Sequence, residues 1–250
     1  MSKSRRIAAL CIVFVTLGVD AAYAGHPMLS EDTGTQGKGN FELELGYDWS
    51  RQDGQGNFLF QPQLSIGVSP TLDLIVQPSW LIADDASGMR VRGFGDTNLD
   101  AKWRFYGAAP WTLGVRAGLE VPTAQDDLGL RPRSASPHGI LVATADLAPF
   151  AINLNFGFAH VATDADQRSG LWHASAAATY AIGERLFLVL DAAEDSNPDR
   201  GGPRYQAVAL VGAIYTIRPG LDIDAGLRSR LNAIGPTQQW LLGITYRGAL

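Results

Sequence analysis

The chain has 250 residues, 46% of them hydrophobic, and its 20 basic and 25 acidic side chains give a net charge of −5 at pH 7. This acidic balance argues against nucleic acid as a partner, because phosphate backbones are bound by basic surfaces. The only cysteine is Cys11, so the rest of the chain has no disulfide and no thiolate chemistry.

The first 24 residues have the pattern of a secretory signal peptide. A basic start precedes an apolar stretch at 7–19, which is shorter than the ~20 residues that a helix needs to cross a membrane. Ala22 and Ala24 supply the small residues of a cleavage site. We therefore expect export from the cytoplasm and removal of residues 1–24, which leaves Gly25 as the new amino terminus.

A glycine-rich segment at 25–39 separates this leader from the first predicted strand. Its second half, at 32–39, reads DTGTQGKG and holds too many glycines for a strand. We interpret 25–39 as either a flexible periplasmic lead or a partial plug of the domain that follows.

From residue 40 onward, apolar and polar residues alternate. Positions 41–49 read FELELGYDW, with an apolar or aromatic residue at every odd position, which is the pattern of a two-faced β-strand. The pattern recurs and predicts twelve strands, at 40–50, 57–68, 71–82, 95–106, 111–122, 139–148, 151–161, 171–182, 185–193, 204–217, 221–231 and 238–250. An even number of such strands, with no apolar stretch long enough for a membrane helix, predicts an all-β fold. We expect residues 40–250 to form a single transmembrane up-and-down antiparallel β-barrel of the outer membrane.

The connections between the predicted strands alternate in length. Short turns that contain Gly or Pro lie at 69–70, 107–110, 149–150, 183–184 and 218–220. Longer polar loops lie at 51–56, 83–95, 123–139, 163–170 and 194–203. In outer-membrane barrels the short turns face the periplasm and the long loops face the exterior, so odd-numbered strands are expected to run outward.

One parity of the predicted strands carries aromatic residues near the strand ends. Such rings are typical of the aromatic girdles that lie where acyl chains meet headgroups, which makes outer-membrane lipid an expected partner. The predicted girdle residues are Trp49, Trp80, Trp103, Trp111, Trp172, Trp240, Tyr180, Tyr215 and Tyr246.

The other parity carries charge and predicts a polar lumen. An unpaired buried charge costs several kcal/mol, so these side chains require water or opposite charges. The predicted pore-lining residues are Glu42, Glu44, Asp48, Asp73, Gln77, Asp100, Lys102, Arg104, Arg116, Glu120, Asp222, Asp224, Arg228, Arg230 and Arg247. Because the last strand closes the ring beside the first, we expect Arg247 to pair with Glu42 and Glu44, and similarly Arg104 to pair with Asp73.

Two segments resemble a known family. Residues 26–44, HPMLSEDTGTQGKGNFELE, and residues 93–105, GFGDTNLDAKWRF, are similar to the meta-pathway phenol-degradation family of outer-membrane transporters. The resemblance implies a barrel that passes small, aromatic or hydrophobic compounds across the outer membrane. The alternating last strand, which ends in Leu250, is expected to be read by the barrel-assembly machinery.

Two other functions remain open beside a channel. Some twelve-stranded barrels are lipid hydrolases with His and Ser on the lipid-facing surface, and His160 is the candidate here, although no companion Ser has a readable spacing. A structural or adhesive barrel without a conducting pore is the other alternative, but its loops would be longer. We therefore predict a channel rather than an enzyme.

Neither a metal nor a cofactor is predicted. The four histidines show no HxxxH or HExxH spacing. The loop pairs Asp164 with Asp166, and Asp195 with Asp199, are interpreted as solvated charge rather than as sites for divalent ions.

Overall fold

In the computed structural model, which describes residues 25–52, 55–84, 89–124, 134–162 and 167–250, the protein is all β. The predicted signal peptide lies outside the described residues. The strands are β1 Asn40–Gln52, β2 Gln55–Ser69, β3 Leu72–Gln77, β4 Trp80–Asp84, β5 Arg90–Phe94, β6 Thr97–Ala108, β7 Trp111–Val121, β8 Ser136–Leu147, β9 Phe150–His160, β10 Gly170–Ile182, β11 Leu186–Ser196, β12 Tyr205–Arg218, β13 Leu221–Arg230 and β14 Gln238–Ala249.

These segments build a closed antiparallel barrel of twelve strands, as predicted. From β6 to β14 each strand pairs with the next, β2 pairs with β3 and β4, and these pair with β6 and β5. Strand β1 pairs with both β2 and β14, which closes the ring. Two barrel strands are interrupted: β3 and β4 together form the third, and β5 and β6 the fourth. The two interruptions lie side by side, because the Gly95 amide donates to the Ser79 carbonyl at 2.9 Å. Pro78, which precedes Ser79, has no amide hydrogen to donate to a neighbouring strand.

Four of the predicted loops are shorter than expected. Strand β8 begins at Ser136, inside the predicted loop 123–139, and β11 ends at Ser196, inside the predicted loop 194–203. Strand β1 ends at Gln52 and β2 begins at Gln55, within the predicted loop 51–56. Strands β4 and β5 form a hairpin that extends through much of the predicted loop 83–95. The sequence pattern missed these extensions for a physical reason. Beyond the lipid both faces of a hairpin meet water, so the alternation of apolar and polar residues disappears.

One end of the barrel holds the tight turns and both ends of the barrel sequence. Gly183, in a three-residue turn, and Gly220, in a two-residue turn, adopt positive φ angles of 71° and 78° there, which glycine tolerates. Asn40 pairs with Ala249 at the same end. By the rule for bacterial barrels this is the periplasmic end, and the opposite end faces the exterior.

The outer face is apolar and aromatic. Residues such as Leu154, Phe156, Leu190 and Leu242 are exposed there at the middle of their strands. All nine predicted girdle residues have the outward parity; Trp80 and Trp172 are half-buried and the other seven are exposed. In the described part of the chain, no helix has the length and apolarity needed to cross a bilayer.

Candidate functional site

The segment 25–39 lies inside the barrel lumen. Ser30, Asp32 and Thr33 are buried, with 2%, 5% and 3% of their surface exposed. From Gly39 at the periplasmic end the segment runs around the inside of the wall and returns to β1 at Gly25. On this path it contacts every one of the twelve barrel strands, so it forms nearly a complete turn within the lumen.

The first part of this path is held by backbone and amide hydrogen bonds. The Gly39 amide donates to the Gly67 carbonyl of β2 at 2.9 Å. The Gln36 amide donates to Asp73 Oδ2 of β3 at 3.0 Å, and Gln36 Nε2 donates to Glu42 Oε1 at 3.0 Å. Buried Asp73 and Glu42 therefore accept hydrogen bonds from the segment.

A charge cluster fixes the centre of the segment. Lys102 Nζ lies 2.8 Å from Glu31 Oε1 and 3.0 Å from Asp32 Oδ1, and Arg116 Nη1 lies 2.7 Å from Glu31 Oε2. Burial alone would raise the pKa of Glu31, but Lys102 and Arg116 outweigh burial and lower the pKa to about 2. Glu31 is therefore ionised, and the segment supplies two carboxylates to two cations of the wall.

Beyond this cluster the segment crosses to β8, β9 and β11. The Thr33 amide donates to Thr144 Oγ1 at 3.0 Å, and Asn155 Nδ2 donates to the Glu31 carbonyl at 2.9 Å. Asp191 accepts bonds from the Ser30 amide at 2.9 Å and from the Ser30 hydroxyl at 2.9 Å. Met28 then packs against an apolar cluster inside the lumen, formed by Phe187, Val189, Leu210, Ile214 and Leu241.

The imidazole of His26 lies between two carboxylates. Its Nδ1 is 2.6 Å from Asp224 Oδ1 on β13, and its Nε2 is 2.9 Å from Asp48 Oδ1 on β1. Burial alone would lower the pKa of His26, but the two carboxylates outweigh burial and raise the pKa to about 9. The ring is thus a cation at neutral pH and donates one hydrogen bond from each nitrogen.

Inward-facing glycines provide a groove for His26 and Pro27. Gly46 pairs with Gly243 across β1 and β14, and Gly212 pairs with Gly226 across β12 and β13. A Cβ atom at Gly46 or Gly243 would lie 2.7 or 2.6 Å from the ring of His26. A Cβ at Gly226 would lie 3.0 Å from the Cβ of Pro27. We call these four positions the glycine groove; any side chain there would displace the segment.

A cavity of about 430 Å³ lies between the segment and the exterior end of the barrel, in the lumen. Leu29 and Glu31 of the segment line it, together with residues of β3 and β6 to β11. Its walls combine apolar atoms of Ile140 and Leu171 with a few polar groups, a composition that suits a small organic ligand.

Two histidine–carboxylate pairs line this cavity. His138 Nε2 lies 2.8 Å from Asp100 Oδ1, and Asp100 also binds Arg116, with Nη2 at 2.7 Å from Oδ2. His173 Nδ1 lies 2.7 Å from Asp195 Oδ1. The His173 Nε2 atom is 3.0 Å from Ser175 Oγ, so Ser175, His173 and Asp195 are connected in series.

The predicted pore-lining residues all occupy inward positions. About half of them bind the segment 25–39. Contacts with residues 26–36 involve eight of them: Glu42, Glu44, Asp48, Asp73, Lys102, Arg116, Asp224 and Arg228. Elsewhere, Asp222 binds Arg247, Asp100 and Gln77 bind Arg116, Arg104 donates to Pro70, and Arg230 to Gly235. Glu120 lies half-buried on β7.

One of the two predicted ion pairs is present. Arg247 Nε lies 2.5 Å from Glu42 Oε2, which confirms the predicted ion pair between the last and the first strand. The second partner of this guanidinium is Asp222, whereas Glu44 was expected. The other prediction is wrong: among the described ion pairs none joins Asp73 to Arg104. Asp73 accepts from the Gln36 amide, and Arg104 Nη2 donates to the Pro70 carbonyl at 3.1 Å. The carboxylate of Asp73 therefore binds the segment 25–39 instead of the guanidinium of Arg104.

Sequence reasoning missed several residues of the site. Uncharged polar residues at inward positions gave no signal beside the charges; they are Gln63, Thr112, Thr144, Asn153 and Asn155. Asp191, His138 and His173 also face inward, but they lie on strands whose inward positions are mostly uncharged, so the charge pattern does not indicate them. Glycines on the charged parity are the signal that could have indicated the path of the segment.

The other candidate residues have ordinary surroundings. His160 is exposed on the outward face, and in the described part of the chain no Ser hydroxyl is hydrogen-bonded to its ring. Asp199 accepts a hydrogen bond from the Gly201 amide of its own loop at 2.8 Å, while Asp164 and Asp166 lie outside the described residues. Among the residues that the structure describes, no group of three His, Cys, Asp or Glu side chains could hold a metal ion.

A closed barrel of twelve antiparallel strands, with an apolar outer face, tight turns at one end and a charged lumen, is an outer-membrane β-barrel. Similar solved structures agree. An outer-membrane channel from Pseudomonas putida F1 matches with a TM-score of 0.71 and 15% identity, over 87% of this chain and 98% of the channel. The family model described as "Putative MetA-pathway of phenol degradation" matches residues 24–247, so the chain belongs to this family.

Two porins share the fold at a lower level. A KdgM porin in complex with oligogalacturonate matches with a TM-score of 0.58 and 9% identity, over 81% of this chain and 98% of the porin. The NanC porin matches with a TM-score of 0.53 and 10% identity, over 82% and 98%. No curated protein sequence is significantly similar to this chain.

Proposed function

We propose that the protein is an outer-membrane channel for small aromatic or hydrophobic compounds, and that residues 25–39 act as a partial plug that sets the width of its passage. The observation that carries the proposal is the position of the cavity. It lies in the lumen, on the exterior side of the segment, where a compound that enters from outside would be held before it passes the plug.

The lining of the cavity supports this substrate class. Apolar atoms of Leu29, Ile140 and Leu171 offer contact to a ring, and the pairs His173–Asp195 and His138–Asp100 can exchange hydrogen bonds with a hydroxyl group. Family membership points in the same direction, since the family is described by phenol degradation.

The charge of the lumen favours neutral and cationic compounds over anions. Carboxylates exceed lysines and arginines on the inward face by about two to one; they are Glu31, Asp32, Glu42, Glu44, Asp48, Asp73, Asp100, Glu120, Asp191, Asp195, Asp222 and Asp224, against Lys102, Arg104, Arg116, Arg228, Arg230 and Arg247. Rings of acidic side chains attract cations. A pore through this lumen should therefore conduct K⁺ in preference to Cl⁻.

Single-channel recording in planar bilayers tests the proposal. Catechol, a neutral hydroxylated aromatic, should interrupt the ion current for longer than a sugar of similar size. His173→Leu should shorten these interruptions several-fold, whereas the matched variant His160→Leu, on the outer face, should leave them unchanged. Absence of any current would support the alternative of a structural or adhesive barrel. Interruptions that are indifferent to His173 would contradict the role of the cavity in binding the compound.

We also propose that the barrel is not an enzyme. The series Ser175–His173–Asp195 has the connectivity of a hydrolytic triad. However, Ser175 is buried, with 8% of its surface exposed, and its hydroxyl is also 3.3 Å from Asn155 Oδ1, so we interpret it as part of a polar ladder. The purified protein should show no hydrolysis of p-nitrophenyl esters; hydrolysis that disappears in Ser175→Ala would refute this.

A further inference from the structure

The turn that the segment makes around the lumen ends beside a buried carboxylate of β1. Glu44 is 5% exposed, and its described contacts are Gln63 Nε2 at 2.7 Å and the His26 amide at 3.2 Å. Among the ion pairs of the described residues, none includes Glu44. A carboxylate this deeply buried is costly unless a cation lies nearby.

Gly25 lies directly against this carboxylate. A Cβ atom added to Gly25 would lie 2.8 Å from the carboxyl carbon of Glu44. The nitrogen of Gly25 is about 2.5 Å from that Cβ position by standard geometry, so it lies within roughly 5 Å of the carboxyl carbon. In the intact chain this nitrogen is a neutral amide.

We propose that signal-peptide cleavage before Gly25 creates the missing cation, and that the new α-ammonium group pairs with Glu44 inside the lumen. The inference rests on the predicted cleavage site at Ala22 to Ala24. Hydrolysis of the Ala24–Gly25 bond by a signal peptidase consumes one water, leaves a carboxylate on Ala24, and leaves an amine on Gly25 that takes up a proton. An α-ammonium group carries its charge at neutral pH, because its ordinary pKa is about 7.7 to 8.0.

Processing would then be a structural step as well as a targeting step. Before cleavage the Gly25 nitrogen is a neutral amide and cannot form an ion pair with Glu44. After cleavage the amino terminus pairs with the same strand that follows the segment, which completes the turn. The last ion pair of the segment is therefore completed only in the processed chain.

Amine labelling of the folded, processed protein tests the proposal. The mature chain holds two lysines as internal references, exposed Lys38 and buried Lys102. A water-soluble acylating reagent at pH 7.5, read out by peptide mass spectrometry, should modify Lys38 rapidly and Gly25 at least tenfold more slowly. Glu44→Gln should accelerate the labelling of Gly25, while the matched variant Glu120→Gln should not.

A second variant keeps the test decisive if Glu44→Gln fails to assemble. Two residues, Ser-Gln, inserted between Ala24 and Gly25 preserve the cleavage site, create no second pair of small residues before Gly25, and move the ammonium group away from Glu44. This extended protein should be labelled at its terminus as rapidly as at Lys38. A mature terminus other than Gly25, rapid labelling of Gly25 in the wild type, or labelling that is indifferent to both changes would overturn the proposal.

Discussion

His26 Nδ1 lies 2.6 Å from Asp224 Oδ1, although 198 residues separate them in the chain. This contact ties the start of the segment to the wall of the barrel next to the closing strand. Because it depends on charge, it should depend on pH.

The attachment of the segment should weaken in alkaline solution. The pKa of His26 is raised from 6.5 to about 9, so its stabilising effect is complete below pH 6.5 and is lost as the pH rises through 9. Single-channel recordings should therefore show more frequent openings or larger conductance at pH 9.5 than at pH 6.5. In His26→Gln the conductance and the frequency of openings should be the same at the two pH values, apart from changes due to other groups. A wild-type channel whose conductance and openings do not differ between pH 6.5 and pH 9.5 would contradict the role of His26.

The glycine groove should tolerate no side chain. Gly243→Leu would put carbon atoms where the ring of His26 lies, and the segment should be displaced while the outer face is untouched. We expect a conductance several-fold above that of the wild type in planar bilayers. Gly107→Ala is the matched control, because a Cβ there meets only Thr112 Cγ2 at an ordinary 3.8 Å. Equal conductance in all three proteins would show that the groove does not hold the segment.

The closing strands should depend on Arg247. Its guanidinium binds Glu42 and Asp222, each at 2.5 Å, and Arg247→Ala would leave two buried carboxylates without this cation. Breaking a buried pair in this way costs about 3–5 kcal/mol. In detergent the variant should unfold at a lower temperature than the wild type. Electrophoresis of samples heated to a series of temperatures would show this, because folded and unfolded barrels migrate differently. Arg218→Ala, at an exposed turn, should behave as the wild type.

The outer face should reject charge near its middle. Leu190 is 61% exposed at the centre of β11, and Leu190→Arg should lower the free energy of unfolding from lipid vesicles by about 2–4 kcal/mol. Ile217→Arg, close to the periplasmic turn, should cost about 0–1 kcal/mol. Similar costs at the two positions would contradict the assignment of this surface to lipid.

The barrel could be predicted from the sequence because two solvents impose its pattern. The membrane-spanning part of each barrel strand meets lipid on one side and polar surroundings on the other, so Glu42 and Glu44 alternate with Phe41 and Leu43. The path of 25–39 could not be predicted in this way. Its contacts join single residues, such as His26 and Glu31, to partners on many strands, and such coil carries no periodicity.

The central claim is that residues 25–39 lie in the conducting lumen and limit what passes. The most direct measurement compares the single-channel conductance of the wild-type protein with that of a variant lacking residues 26–36, after both are shown to be folded by heat-dependent electrophoresis. We predict a several-fold increase for the variant, because the deleted residues occupy the cross-section between the twelve strands. An unchanged conductance in a folded variant would contradict the account.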